Sequence, residues 1–137
     1  MKAILLGSIG TVADTSDMQL DAFNQAFKMH GLAWTWSPDE YSKMLKVSGG
    51  TKRIQQYAYS LGEEVNAAQI HLTKTQIFQS TLSSEGVSLR QGISAVLDYG
   101  LTKSIMLGFV TTTTHGNVSE ILKATDVNPK IFDVVTT

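Results

Sequence analysis

The sequence predicts an α/β fold: an incomplete parallel sheet core interrupted by an inserted helical segment. Two observations carry this. Three short apolar runs, Ala3 to Leu6, Ile105 to Val110 and Ile131 to Val135, have the length of strands. The middle run is unbroken, which predicts a strand buried on both faces. Between the runs lie stretches with apolar residues at helical spacing. Short strands joined by helices require parallel pairing through crossovers.

The chain of 137 residues is long enough for one domain, or for one small core with an insert. Eleven Lys and Arg against twelve Asp and Glu give a net charge of −1. That balance offers no electrostatic case for nucleic acid or an anionic membrane. There is no Cys, which excludes disulfides and thiolate metal sites. No apolar run approaches the roughly 20 residues of a membrane span, and no signal peptide is evident. A cytoplasmic location is the expectation.

Taken in order, Ala3 to Leu6 is the first strand, and Gly7, Ser8 and Gly10 break it into a turn. Asp14, Thr15 and Ser16 are N-cap types that open a helix from Thr15 to His30, with Leu20, Phe23, Ala26 and Phe27 inward and Gly31 as its stop. Trp34 and Trp36 follow in a loop and are expected to pack inside. Ser37-Pro38-Asp39-Glu40 reads as an N-cap, a proline at the first helical position and a capping box, with Tyr41, Met44 and Leu45 on the apolar face. After the loop Ser48 to Thr51, a helix from Lys52 to Leu61 turns Ile54, Tyr57, Ala58 and Leu61 inward and ends at Gly62.

A longer helix, from Asn66 to about Ser83, carries Ala67, Ile70, Lys74, Ile77, Phe78 and Leu82 near one stripe. Ile93, Val96 and Leu97 belong to another, expected to close at Gly100. The second strand ends in Thr111 to Thr114, a helix from Asn117 to Thr125 buries Val118, Ile121 and Leu122, and the third strand follows. Met18, Met29 and Met44 read as filler of the helical core. His30, His71 and His115 lack metal-ligand spacing and are expected at the surface.

The stretch Gly10-Thr11-Val12-Ala13-Asp14-Thr15 after the first strand resembles motif I of the haloacid dehalogenase (HAD) superfamily, D-x-D-G-T-L-x-D-[ST]. The resemblance runs the length of the chain and is nearest to the CbbY-type sugar-phosphate phosphatases and β-phosphoglucomutases. Ala22 to Phe27 with Gly31-Leu32 is similar to the first cap helix. Ser48-Gly49-Gly50-Thr51-Lys52-Arg53-Ile54 resembles the CbbY cap loop, and Lys74-Thr75 with Ile77-Phe78 the last cap helix. Leu89-Arg90-Gln91-Gly92 resembles the L-R-P-G that re-enters the core, and Phe109 to Thr113 resembles motif II. The resemblance implies a HAD-like Rossmannoid core at 1–14 and 87–137, with a helical cap at 15–86.

It also implies chemistry that these residues only partly supply. The family's first motif I aspartate attacks phosphorus and binds Mg²⁺, and the second moves the proton. Gly7 and Ile9 hold those places here. Gln19 stands where a cap-hinge His is frequent, and Thr51 where the cap-loop Lys is. Motif III, with its lysine, and motif IV, with its acidic Mg²⁺ ligands, are not found. The expectation is therefore no catalytic residue, no metal site and no cofactor, in a family that uses Mg²⁺. Ser8 has the wrong place in the turn to act as a replacement nucleophile.

Thr111 and Thr112, with Gly10, are candidate ligands of a phosphoryl group, set against threonines that merely cap a strand end. Lys52 and Arg53 are candidate substrate-phosphate contacts, set against a solvated first turn of helix. The expected function is a HAD-like domain with activity lost, binding a small phosphorylated ligand. The alternatives are an active sugar-phosphate phosphatase or phosphomutase using replacement groups, and a decayed or shortened enzyme. With no fourth strand, Ala3 to Leu6 is expected at a sheet edge, open to self-association or to a partner strand.

Overall fold

The computed structural model describes residues 2–7 and 10–136. In chain order the elements are β1 (Ala3–Leu6), α1 (Ser16–Met29), α2 (Pro38–Met44), α3 (Gly50–Leu61), α4 (Ala67–Glu85), α5 (Ile93–Thr102), β2 (Met106–Phe109), α6 (His115–Ala124), a single 3₁₀ turn (Pro129–Ile131) and β3 (Val134–Val135). The chain divides into two compact units: Met1–Ser16 with Thr81–Thr137, and Asp17–Ser80. Among the described residues no helix is long and apolar enough to cross a membrane.

The first unit is built on a parallel sheet of order β1-β2-β3. Ala3 to Leu6 pair with Met106 to Phe109, and Gly108 and Phe109 pair with Val134 and Val135. Because side chains alternate along a strand, Ile4, Leu6, Leu107 and Phe109 share one face. They form a core with Leu97 of α5, Val118 and Leu122 of α6, and Phe132. The opposite face carries Leu5, Met106, Val110 and Val134, all exposed, Leu5 at 67%. This corrects the expectation that the second strand is buried on both faces. Among the described residues β1 does lie at a sheet edge.

Two boundaries differ from the sequence expectation for clear reasons. Gly100 does not end α5 but lies buried inside it, where a Cβ would come within 2.7 Å of Leu107 Cδ2. Its missing side chain lets the helix approach β2, a different use of glycine from chain termination. The third apolar run is mostly not strand. Pro129 starts a 3₁₀ turn capped by Asn128, and the Asp133 carboxylate accepts the Leu107 N–H at 2.8 Å in place of a backbone partner. Only Val134–Val135 remain as β3.

The second unit is helical, with an aromatic centre. Phe23, Phe27, Trp34, Trp36 and Tyr41 are all buried, with Phe27 4.7 Å from Trp36 between ring centroids. Asn24 holds the loop that delivers Trp36 by accepting its N–H and donating to its carbonyl. The Ser37–Glu40 capping box forms as the sequence predicts, fixing the start of α2 and placing Tyr41 inward. α3 begins at Gly50, two residues earlier than expected, and ends at Gly62 in the left-handed region. Leu61 and Met29 are exposed, not core. Gly100→Val is expected to lower stability by about 1–3 kcal/mol through overpacking against Leu107. Chemical denaturation checks this, and an unchanged midpoint would contradict it.

Candidate functional site

In the first unit, parallel pairing brings the C-terminal ends of β1 and β2 side by side, the end of an open α/β sheet where ligands bind. The Val110 N–H donates to Leu6 O at 2.8 Å, which sets Gly7 beside the start of the threonine run. A Cβ built on Gly7 would meet Thr11 Oγ1 at 3.5 Å and Val110 O at 3.8 Å, ordinary contacts, and Gly7 is not among the residues with positive φ. The backbone there accepts a side chain; the sequence supplies none. Ser8 and Ile9 lie outside the described residues.

The other expected phosphate ligands of this unit are partly engaged. The Gly10 N–H donates to Ala13 O at 2.8 Å. Thr111 Oγ1 accepts the Thr113 N–H at 3.1 Å, and the Thr111 N–H donates to Thr136 Oγ1 at 3.3 Å. Thr112 is exposed. Thr113 and Thr114 serve α6: Thr113 Oγ1 accepts from Asn117 Nδ2, and Thr114 Oγ1 caps the helix through the Asn117 N–H. Strand-end and helix-capping roles thus account for much of the run.

The family's Mg²⁺ does not fit what remains. Gly7 offers no side-chain carboxylate, and among the described residues no cluster of three or more His, Cys, Asp or Glu side chains could hold an ion.

The second unit holds a group of polar side chains that the sequence reading underrated. Lys74, placed on the apolar stripe of α4, is 5% exposed. Its ammonium donates to Gln19 Oε1 on α1 and stands 4.7 Å from the Phe23 ring centroid and 5.3 Å from that of Phe78. Arg53, on α3, lies 5.6 Å over Tyr41 and 5.9 Å over Phe23, with Nη2 donating to Val47 O at 3.0 Å. His71, expected at the surface, is half-buried against Phe23, and a side chain on Gly50 would collide with its imidazole. Lys52, by contrast, is exposed on the first turn of α3, a solvated charge.

Among the described residues no carboxylate pairs with Arg53, His71 or Lys74. Burial, reinforced by the Arg53 charge, pushes the Lys74 ammonium down to about 7. Burial also takes His71 down to about 4, with Lys74 and Arg53 adding to the effect. Burial lowers Arg53 and raises Tyr41, each opposed in part by the other's charge. At neutral pH the group therefore combines the Arg53 guanidinium, a lysine amine whose hold on its proton is weakened and a neutral His71 imidazole. Cations desolvated without a counter-charge are poised to receive an anion. The signal available in the sequence was a lysine on an otherwise apolar helical stripe.

The haloacid dehalogenase-like hydrolase family matches residues 10–137. The chain belongs to that family. As a HAD-like chain it is 32% identical to the CbbY protein of Rhodobacter capsulatus, covering 98% of this chain and 62% of that protein. It is 33% identical to a plasmid-borne CbbY of Cupriavidus necator, over 90% of this chain and 52% of that one. The crystal structure of a CbbY variant from Rhodobacter sphaeroides in complex with xylulose-(1,5)-bisphosphate superposes with a TM-score of 0.89, at 31% identity, covering 98% of this chain and 62% of that chain. A phosphate complex of CbbY from the same organism matches equally well. The chain thus spans about half to three-fifths of the length of these relatives.

The shifted groups give stability a defined pH slope. Lys74 titrates near 7 when folded and near 10.5 when unfolded, so between those values the unfolded chain holds more protons. Its contribution to stability therefore rises with pH across that window. His71 acts with the same sign between about 4 and 6.5. Lys74→Met is expected to flatten the rise of melting temperature between pH 7 and 9, measured by calorimetry. An equal slope in variant and wild type would contradict the assignment.

Proposed function

We propose that this chain is a HAD-like domain that binds a small phosphorylated sugar and does not transfer its phosphoryl group. Gly7 carries the second half of this reading. The family reaction needs a carboxylate oxygen to form the bond to phosphorus, and Gly7, at the nucleophile's place, has no side chain to supply one. The first half is supported by the CbbY complexes with phosphate and with xylulose-(1,5)-bisphosphate, and by the uncompensated cations of the helical unit. In this reading the helical unit is the family's cap.

Each residue then has a role in binding. Arg53 supplies a permanent charge held in place by Val47 and Tyr41. Lys74 adds a charge that the ligand itself stabilises, since an anion nearby favours the protonated amine. Neutral His71 can donate or accept without further charge. Gln19 keeps the amine aligned without competing for its charge, as a carboxylate would.

Two measurements test the proposal. With Mg²⁺ present, p-nitrophenyl phosphate and xylulose-(1,5)-bisphosphate are expected to turn over no faster than in buffer. Saturable turnover by the purified chain would instead establish an active phosphatase using other groups. By calorimetry, xylulose-(1,5)-bisphosphate is expected to bind, and Arg53→Gln to weaken binding about 10- to 100-fold, the loss of charge-assisted hydrogen bonds of about 1.5–3 kcal/mol. Raising the pH from 6 to 8.5 is expected to weaken binding to the wild type as Lys74 loses its proton. A pH-independent affinity, unaffected by Arg53→Gln, would remove the cluster from recognition.

A further inference from the structure

Among the described residues, the sheet of the first unit is covered on one side only. Leu97 of α5 and Val118 and Leu122 of α6 pack on the face that carries Ile4, Leu6, Leu107 and Phe109. On the other face stand Ala3, Leu5, Met106, Val110 and Val134, all exposed, around Gly108. Leu5 leans across that glycine, where a Cβ would come within 2.6 Å of Leu5 Cδ2. The surface is apolar, and none of these residues carries a charge. Strands of all-parallel sheets are ordinarily covered on both faces, and a contiguous apolar surface left in water marks an interaction site.

The edge beside that face is open as well. Lys2 O and Leu6 O accept from the Met106 and Val110 N–H groups, so they turn toward β2. Alternate residues of a strand turn opposite ways, which points the N–H and C=O of Ala3 and Leu5 to the free edge. β1 has no proline and no charge within Ala3–Leu6, the devices that ordinarily protect an edge. Leu5 belongs to both features, with its backbone at the open edge and its side chain on the bare face.

The handedness of the chain says what closes both. β1, β2 and β3 follow in spatial order, and α5 and α6, which precede β2 and β3, lie on one face. A right-handed crossover taken twice in one direction gives this arrangement. A strand added beside β1 and parallel to it extends the sheet in the other direction, where right-handed crossovers put their helices on the opposite face. One strand-and-helix unit therefore closes the edge and covers the face together. A second copy of this chain does not. Pairing β1 with β1 about a two-fold axis normal to the sheet leaves both faces bare, and stacking the two faces leaves both edges open. The CbbY structure that superposes at a TM-score of 0.89 has 62% of its chain in the match, and the rest is long enough for such a unit. We propose that the open edge of β1 and the bare sheet face together bind a second polypeptide, of different sequence, that supplies one parallel strand and one amphipathic helix. Its strand pairs with β1, and the apolar side of its helix lies over Leu5, Met106, Val110 and Val134. No residue of the basic cluster in the helical unit takes part.

The experiment adds the unmatched segment of that CbbY chain to the full chain and follows complex formation by light scattering and amide exchange. A one-to-one complex is expected, with the Ala3 and Leu5 amides newly protected, and a scrambled segment of the same composition is expected not to bind. Leu5→Lys and Val134→Lys, both at exposed positions, are each expected to weaken the complex about tenfold or more by placing a charge under the helix. Ala3→Pro, which removes an edge N–H at the first residue of the strand, is expected to weaken it too. No complex, a complex that leaves the Ala3 and Leu5 amides unprotected, equal binding of the scrambled segment, or self-association of the chain alone that protects those amides would each overturn the proposal. Should Leu5→Lys fail to fold, Val134→Lys and the exchange pattern decide the matter.

Discussion

The parallel pairing of β1 with β2 is the constraint on which the first unit depends. Four residues at the start of the chain, Ala3–Leu6, meet Met106–Phe109 about a hundred residues later. The register decides which side chains face α5 and α6, because a shift of one residue would turn Leu6 and Phe109 outward. It also aligns the two strand ends, so that Gly7 and the threonine run meet. The close approach of α5 at Gly100 and the Asp133 carboxylate on the Leu107 N–H both serve β2, the strand in the middle. One strand position thus fixes core and candidate site together.

The helical unit obeys a different economy. Beyond the Asn24 clamp on Trp36, Arg53, His71 and Lys74 are packed against the rings of its aromatic centre. Desolvating cations is costly, and buried charges are ordinarily paired. Contact with the faces of Phe23, Phe78 and Tyr41 offsets part of that cost. The Gln19 amide oxygen offsets a further part. The remainder is visible as the depressed proton affinity of Lys74 and His71. That cost is what the anion-binding role proposed above would offset.

Much of this was legible in the sequence where the signal is local. The Ser37–Glu40 capping box, the stop at Gly62 and the inward set Leu20, Phe23, Ala26 and Phe27 follow from spacing and residue type, and the structure agrees. What could not be read depends on partners distant in sequence. Gly100 looks the same whether it ends a helix or admits Leu107. Ile105 to Val110 is equally apolar whether one face is covered or two. Lys74 differs from an ordinary snorkelling lysine only because Gln19, Phe23 and Arg53 surround it, and those contacts span up to 55 residues. His71 was misjudged for the same reason. Lys52 and Arg53, adjacent and alike in sequence, separate in the fold because helical rotation turns one to solvent and the other toward Tyr41.

The contrast between Gly7 and Lys74 bears on how the chain should be understood. Carboxylates clustered without a metal repel one another, so replacing one by glycine at the end of β1 relieves strain and costs the fold little. For stability alone, an apolar residue at position 74 would suit the stripe of α4 better. Position 74 instead holds a lysine whose ammonium Gln19 meets, and Gly50 leaves room for the His71 ring. A bare backbone at position 7 together with costly buried cations in the helical unit is the arrangement expected under the binding role proposed above. A remnant selected only for stability would show the reverse.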